Sequence, residues 1–279
     1  MLELIRYIDV LSFKQDVIPF LEQYEGENNL PLGVLMNIKE EEEPIYMATV
    51  SKNGVLSLVL LQTHPRQMIL SKSLPFTSEE VKELAGKLYI DYPNIPGLIG
   101  ESKLVKSLAN EIARLKNREI HIHMEQRVYV LREVKKKASD RGTLRLAESR
   151  DLPIVERWAY CFCEDVGEPV SALEAAQKAK DMIEKERLYL WENDGRLVSM
   201  ACWLRPTKTN VTVGFVYTPP EERKKGYASD CVSALTQHLL DSGYQTTSLY
   251  TDLANLTSNK IYMEIGYEPV MDSTVVFIK

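Results

Sequence analysis

Apolar residues recur at the helical interval from Leu152 to Cys163, behind Asp151 as a candidate cap and Pro153 in the first turn. Ser171 to Arg187 repeats that periodicity and predicts a second helix. Leu188–Glu192 and Leu197–Leu204 flank Asn193-Asp194-Gly195, and Asp-Gly supplies the positive φ angles of a tight reversal, so a hairpin is expected there. Val211–Tyr217 predicts a third strand. After a charged loop ending at Gly226, the residues Ala228, Cys231, Val232, Leu235 and Leu239 fall on one face of a helix, with Gly243 placed for a left-handed C-cap. A strand over Ser248–Asp252, a short helix through Tyr262 and a final strand over Ser273–Ile278 complete the pattern.

The first half carries a fainter copy of this order. Tyr46–Val50 and Val55–Leu61 flank Lys52-Asn53-Gly54 as a hairpin, and Ser78–Tyr89 is an amphipathic helix behind the cap Thr77. The two tight turns lie about half a chain apart, as a duplicated domain places them. At the stretch taken to match the charged loop, the first half has Thr63-His64-Pro65-Arg66, where proline removes a backbone donor, so a copied cofactor site is expected to be lost. Arg127–Val134 alternates as a strand does and runs into Lys135-Lys136-Lys137 and then Gly142. Two domains are therefore expected, 1–134 and 143–279, joined by a linker at about 135–142.

With 279 residues, 44% of them hydrophobic and 27% charged, the chain can bury two cores of ordinary size. Its net charge of −6 argues against a general affinity for nucleic acid or anionic membranes, which shifts attention to one local basic loop. The N-terminal MLELIRYIDVLSFKQDVIPF does not read as a signal peptide, and no stretch reaches the length of a membrane span. Cys161, Cys163, Cys202 and Cys231 have no scaffold spacing, so free thiols in a reducing cytoplasm are expected.

That loop, Arg223-Lys224-Lys225-Gly226-Tyr227-Ala228, sits between a strand and a helix. A helix N-terminus presents unpaired N–H groups and the positive end of its dipole, and glycine lets a phosphate approach the main chain. The loop is expected to bind an anion. It lacks Gly-Lys-Ser/Thr, which excludes a P-loop nucleotide site.

Arg223-x-x-Gly226-x-Ala228, followed by Asn255-x-x-Ser258-Asn259-x-x-Tyr262-x-x-x-Gly266-Tyr267, resembles the signature of the GNAT superfamily of N-acetyltransferases. Val216-Tyr217-Thr218-Pro219-Pro220, with Glu27-Asn28-Asn29-Leu30 and Pro96-Gly97-Leu98-Ile99-Gly100 in the first half, is similar to bacterial members with two tandem GNAT-like domains. Lys224 departs from the pattern, since glycine is frequent there. The resemblance implies an α+β fold of two GNAT-like domains, each a mixed, mostly antiparallel sheet flanked by helices, the second holding the cofactor site. It implies acetyl-CoA as cosubstrate and a primary amine of a small molecule or protein as acceptor. Main-chain groups of Phe215, Val216 and Tyr217 would pair with pantetheine, and the diphosphate would rest on about Lys224 to Ser229 beside Arg223, Lys225, Tyr227 and Ala228. Asn255 and Asn259 would bond pantetheine amides or order the loop, and Tyr262 would lie near the thioester sulfur as general acid. An N–H near Val216 or Tyr217 would stabilise the oxyanion.

Glu164, Asp165, Glu168 and Glu221 are each placed to serve as general base, and a water chain is the alternative. His121 and His123 share a face of a predicted strand but lack a third ligand, and Cys161 and Cys163 point apart on a helix, so no metal is expected. Glu40–Glu43 reads as a solvated loop. The rival to an enzyme is a non-catalytic acyl-CoA-binding or protein-interaction module on the same scaffold. Oligomeric state stays open, a homodimer included.

Overall fold

The computed structural model describes residues 1–39 and 41–279. Glu40 lies outside the described residues, while Glu41, Glu42 and Glu43 are exposed. The first half runs β1 (Leu2–Arg6), α1 (Val10–Leu21), α2 (Asn29–Asn37), β2 (Tyr46–Lys52), β3 (Val55–His64), β4 (Gln67–Leu70), α3 (Ser78–Asp91), β5 (Gly97–Glu101), α4 (Ser102–Lys116) and β6 (Ile120–Leu131). The second half repeats that order: β7 (Thr143–Leu146), α5 (Leu152–Asp165), α6 (Ala172–Glu184), β8 (Leu188–Asn193), β9 (Arg196–Leu204), β10 (Asn210–Tyr217), α7 (Tyr227–Asp241), β11 (Thr246–Asp252), α8 (Leu256–Ile265) and β12 (Glu268–Ile278).

Two compact units form. The first comprises Met1–Tyr129, Tyr250–Leu256 and Pro269–Lys279; the second comprises Val130–Leu249 and Thr257–Glu268. The chain's last strand thus lies in the first unit, where the strand order is β1-β2-β3-β4-β5-β12-β6. In the second unit it is β11-β10-β9-β8-β7. Of the strand pairs described, β4–β5 and β10–β11 are parallel, each joined by a crossover helix (α3 and α7), and the others are antiparallel. Among the described residues no helix is long and apolar enough to cross a membrane.

Burial on both faces explains the near-continuous apolar runs of β2 and β3. Ala48, Val50, Leu58 and Leu60 pack with α3 and α4, whereas Met47, Val59 and Leu61 pack with α1 and α2. Each fully buried leucine contributes about 1.5–3 kcal/mol. Both tight turns adopt the expected geometry, with φ of 51° and 81° at Asn53-Gly54 and 50° and 72° at Asp194-Gly195. Thr77 caps α3 through a reciprocal box with Glu80.

Two expectations are corrected. Thr63-His64-Pro65-Arg66 is the turn joining β3 to β4, because the strand pairing runs on to His64↔Gln67; the segment entering α3 is Ser71–Thr77, with Pro75 in it. Asp151 does not cap α5 with its side chain. Its carboxylate instead accepts from the Glu148 N–H at 2.8 Å and from both terminal nitrogens of Arg145 at 2.7 and 2.8 Å, while Arg145 Nε reaches Glu192 at 2.8 Å.

Those bonds to Arg145, and then the Glu148 N–H, hold the Asp151 carboxyl below the usual carboxylate range against the opposing effect of burial. A folded-state pKa below the unfolded one contributes stability that is complete above about pH 4 and is lost as pH falls through the lower folded value. Asp151→Asn should therefore cost about 1–3 kcal/mol at neutral pH and flatten the acid side of the stability profile. Thermal melts from neutral to acid pH check both effects; a variant with an unchanged acid slope counts against the pair.

Candidate active site

β10 pairs with β9 in register as far as Gly214↔Cys202, and then one extra residue intervenes before Tyr217↔Met200. Phe215 takes φ of 51° inside this bulge, a conformation that bulky residues seldom adopt. On its other side β10 pairs with β11 only over Asn210↔Thr246 to Thr212↔Ser248, although β10 continues to Tyr217. Phe215, Val216 and Tyr217 consequently lie beyond the last β10–β11 pair. The Phe215 ring meets Phe162 of α5 at 4.5 Å, and the Tyr217 carbonyl accepts from Ser199 Oγ at 3.1 Å. Burial, and secondly a bond with Cys161, push the Tyr217 phenol up to about 12.

The loop from Arg223 to Gly226 turns twice through left-handed backbone. Lys224 has φ of 63° and Gly226 has φ of 91°. The strain at Lys224 explains why glycine suits that position. Gly226 is the N-cap of α7 and supplies no side-chain cap, so the leading N–H groups are left to other acceptors. Tyr227 is buried and donates nothing to the cap; its hydroxyl accepts from Asn193 Nδ2 at 2.8 Å. Ser229 Oγ, in the first turn, is buried and has no hydrogen-bond partner among the described residues. A buried hydroxyl without a partner carries a desolvation cost that an anion in this turn would relieve.

Asp230 would repel such an anion, but its carboxylate is engaged elsewhere. It accepts from the Ser139 N–H at 3.0 Å and Ser139 Oγ at 2.7 Å, and Arg141 Nη2 lies 3.3 Å away. Arg141 also donates to the Lys225 carbonyl at 3.2 Å and sits over the Tyr227 ring. The sequence pattern marked residues 135–142 only as a linker; its one legible signal was the density of basic residues. Arg223 donates to the Thr218 carbonyl at 2.9 Å and to Asp165 Oδ2 at 2.6 Å, and Lys225 reaches Glu222 at 2.9 Å.

On α8, Asn259 and Tyr262 are three residues apart, one above the other, and both are buried. Asn255, four residues before Asn259, precedes the helix with its N–H bonded to the Asp252 carbonyl at 3.0 Å. Burial, then the neighbouring Tyr267, raise the Tyr262 phenol well above its ordinary value, opposed by a bond with Ser258, so the group stays protonated at neutral pH. Tyr262 meets Tyr267 edge-on at 6.1 Å, and the Tyr267 hydroxyl bonds Thr236 at 2.8 Å and Thr247 at 2.9 Å. Gly266, with φ of 121°, lets α8 end against residue 133, where a Cβ would meet the Glu133 carbonyl oxygen at 2.9 Å.

Of the carboxylates considered as base, Asp165 is drawn into the ion pair with Arg223, whereas Glu164 and Glu221 are exposed and Glu168 is half-buried. All four cysteines are free thiols, and burial pushes those of Cys202 and Cys231 up to about 12, which removes them as nucleophiles. His121 and His123 lie on β6, with His123 Nε2 3.2 Å from Arg66. No cluster of three or more His, Cys, Asp or Glu suited to a metal occurs among the described residues.

Residues 154–267 match the family model described as Acetyltransferase (GNAT) family. No curated protein matches the chain. Among solved structures, an acetyltransferase from the GNAT family of Colwellia psychrerythraea aligns over 99% of this chain and 98% of its own, with 14% identity and a TM-score of 0.60. A GCN5-related N-acetyltransferase from Sphaerobacter thermophilus covers 99% and 95% at 13% identity and a TM-score of 0.60. A tandem GNAT protein from the clavulanic acid biosynthesis pathway covers 100% and 98% at 12% identity and a TM-score of 0.55. Such identities speak for fold, and the fold they share with this chain extends from end to end. The second half of the chain, over residues 154–267, thus carries a domain of the GNAT acetyltransferase family, and the chain as a whole shares its fold with a tandem GNAT protein.

Proposed function

We propose that the second half transfers an acetyl group from acetyl-CoA to a primary amine. The observation that carries this reading is the uncapped start of α7 at Gly226, with the orphaned Ser229 hydroxyl in its first turn and the bulged end of β10 leading into it. N–H groups from Lys224 to Ser229 would hold the diphosphate, with Arg223 and Lys225 adding positive charge and Ala228 leaving room beside the helix start. Phe215, Val216 and Tyr217 would offer main-chain partners to pantetheine, as an added strand would find them. Asn255 and Asn259 would bond its amides.

The amine lone pair attacks the thioester carbonyl carbon, and an N–H near Val216 or Tyr217 stabilises the negative oxygen. As the C–S bond breaks, the Tyr262 hydroxyl gives its proton to the leaving sulfur, which supports general-acid use of a phenol that is neutral at working pH. The proton lost by the amine leaves through water or one of Glu164, Glu168 and Glu221; Asp165 is less suited while Arg223 holds it.

Titration calorimetry with acetyl-CoA should give saturable heat that CoA competes away, and thiol release should follow when primary amines are added. Absence of heat with either ligand removes the reading. Tight binding without thiol release on any acceptor points to the non-catalytic module instead.

A further inference from the structure

A cavity of about 1060 Å³ opens in the first unit, lined by the segment from Lys72 to Thr77, the start of α3 and one face of α4. By order of elements this is where the first half would hold a cofactor of its own, yet three features turn a diphosphate away. The α3 start is already capped by Thr77 and Glu80, its first turn carries Glu79 and Glu80, and Pro75 lacks an N–H. Gly100 also brings β5 against β4, where a Cβ would stand 2.8 Å from the Leu70 carbonyl oxygen, so the two strands do not part at that point.

The lining mixes both signs of charge. Lys82, Lys103, Glu79 and Glu101 all face this space, and none of them forms an ion pair among the described residues. A ligand of one sign would meet repulsion from the other set, whereas one carrying both signs at separate ends satisfies each. The α4 face sets the spacing. Lys103 and Glu111 stand at its two ends, eight residues or about 12 Å apart along the axis, with Ser107 and Asn110 between them. Glu111 is held only by an exposed i,i+3 pair with Arg114, an interaction weak enough to open.

We propose that this cleft binds a short zwitterionic peptide of about three residues, with its carboxylate at Lys103 and its ammonium at Glu111. Ser107 and Asn110 then meet the peptide groups, and Leu104 and Phe76 supply apolar contact. Three extended residues span about 10 Å, which matches the charge spacing. The site is independent of acetyl-CoA binding by the second half.

Calorimetry and thermal shift on the full chain with glycine, lysine, diglycine and trialanine test the proposal, with acetate and ethylammonium as single-charge arms. Trialanine should bind saturably at millimolar concentration or below, and glycine, acetate and ethylammonium should bind at least about tenfold more weakly. Lys103→Glu and Glu111→Lys should each weaken the zwitterion about tenfold or more, and Ser107→Trp, at an exposed position, should abolish binding by filling the cleft. Acetyl-CoA heat should be unchanged in all three variants, and a retained cooperative thermal transition with parent-like far-UV circular dichroism reports that the first unit is folded. No saturable binding of trialanine, equal binding of glycine or acetate, or binding that survives both charge reversals overturns the proposal.

Discussion

Tyr262→Phe should lower turnover by on the order of 10²–10³-fold while acetyl-CoA affinity stays nearly constant. The phenyl ring remains, so its edge-on contact with Tyr267 and the packing of α8 persist, and only the hydroxyl and its bond with Ser258 are lost. Losing one such bond costs about 1 kcal/mol of stability, far from unfolding a unit of this size. A thiolate leaving without a proton donor must be stabilised by water alone, and the loss therefore falls on the chemical step rather than on binding. Steady-state rates with calorimetric affinities measured on the same preparation separate the two. Turnover equal to that of the parent protein would take the proton donor's role from Tyr262.

The second large effect is expected at Gly226. Gly226→Val places a β-branched side chain at φ of 91°, where the added Cβ would also lie 3.1 Å from Arg141 Nη2. Backbone strain of this kind costs about 1–3 kcal/mol, and relief comes from rotating the turn, which turns the N–H groups of Lys224 to Ser229 away from a common centre. Affinity for acetyl-CoA should fall about tenfold or more, with a modest drop in melting temperature. Calorimetry measures the first and thermal denaturation the second. A variant that binds acetyl-CoA as tightly as the parent would mean that this turn does not receive the diphosphate.

Gly226 and Tyr262 were legible because their requirements are local. A left-handed turn at a helix start needs glycine, and three-residue spacing alone stacks Asn259 and Tyr262 on α8, with Asn255 just before its start. Lys224 was legible as a departure; its φ of 63° gives the reason. Arg141 was not legible, because nothing in its neighbourhood in the chain points to Asp230 or the Lys225 carbonyl, 89 and 84 residues away.

The sequence by itself determined the elements and turns: hairpins at Asn53-Gly54 and Asp194-Gly195, the Thr77 cap, the Gly243 stop, and a repeated order of strands and helices. These follow from dihedral preference and from hydrogen bonds made within a few residues. Only the tertiary structure decided which strands share an edge. Alternation along β12 says that one face is buried and nothing about its partner, so the boundary expected at 135–142 follows chain order, whereas β12 pairs with β5 in the first unit. The bond between Asp151 and Arg145, the ion pair that occupies Asp165 and the charged cleft along α4 were settled the same way. Each depends on the direction in which a side chain leaves its element once the sheet is assembled, a choice fixed by packing against residues distant in the chain.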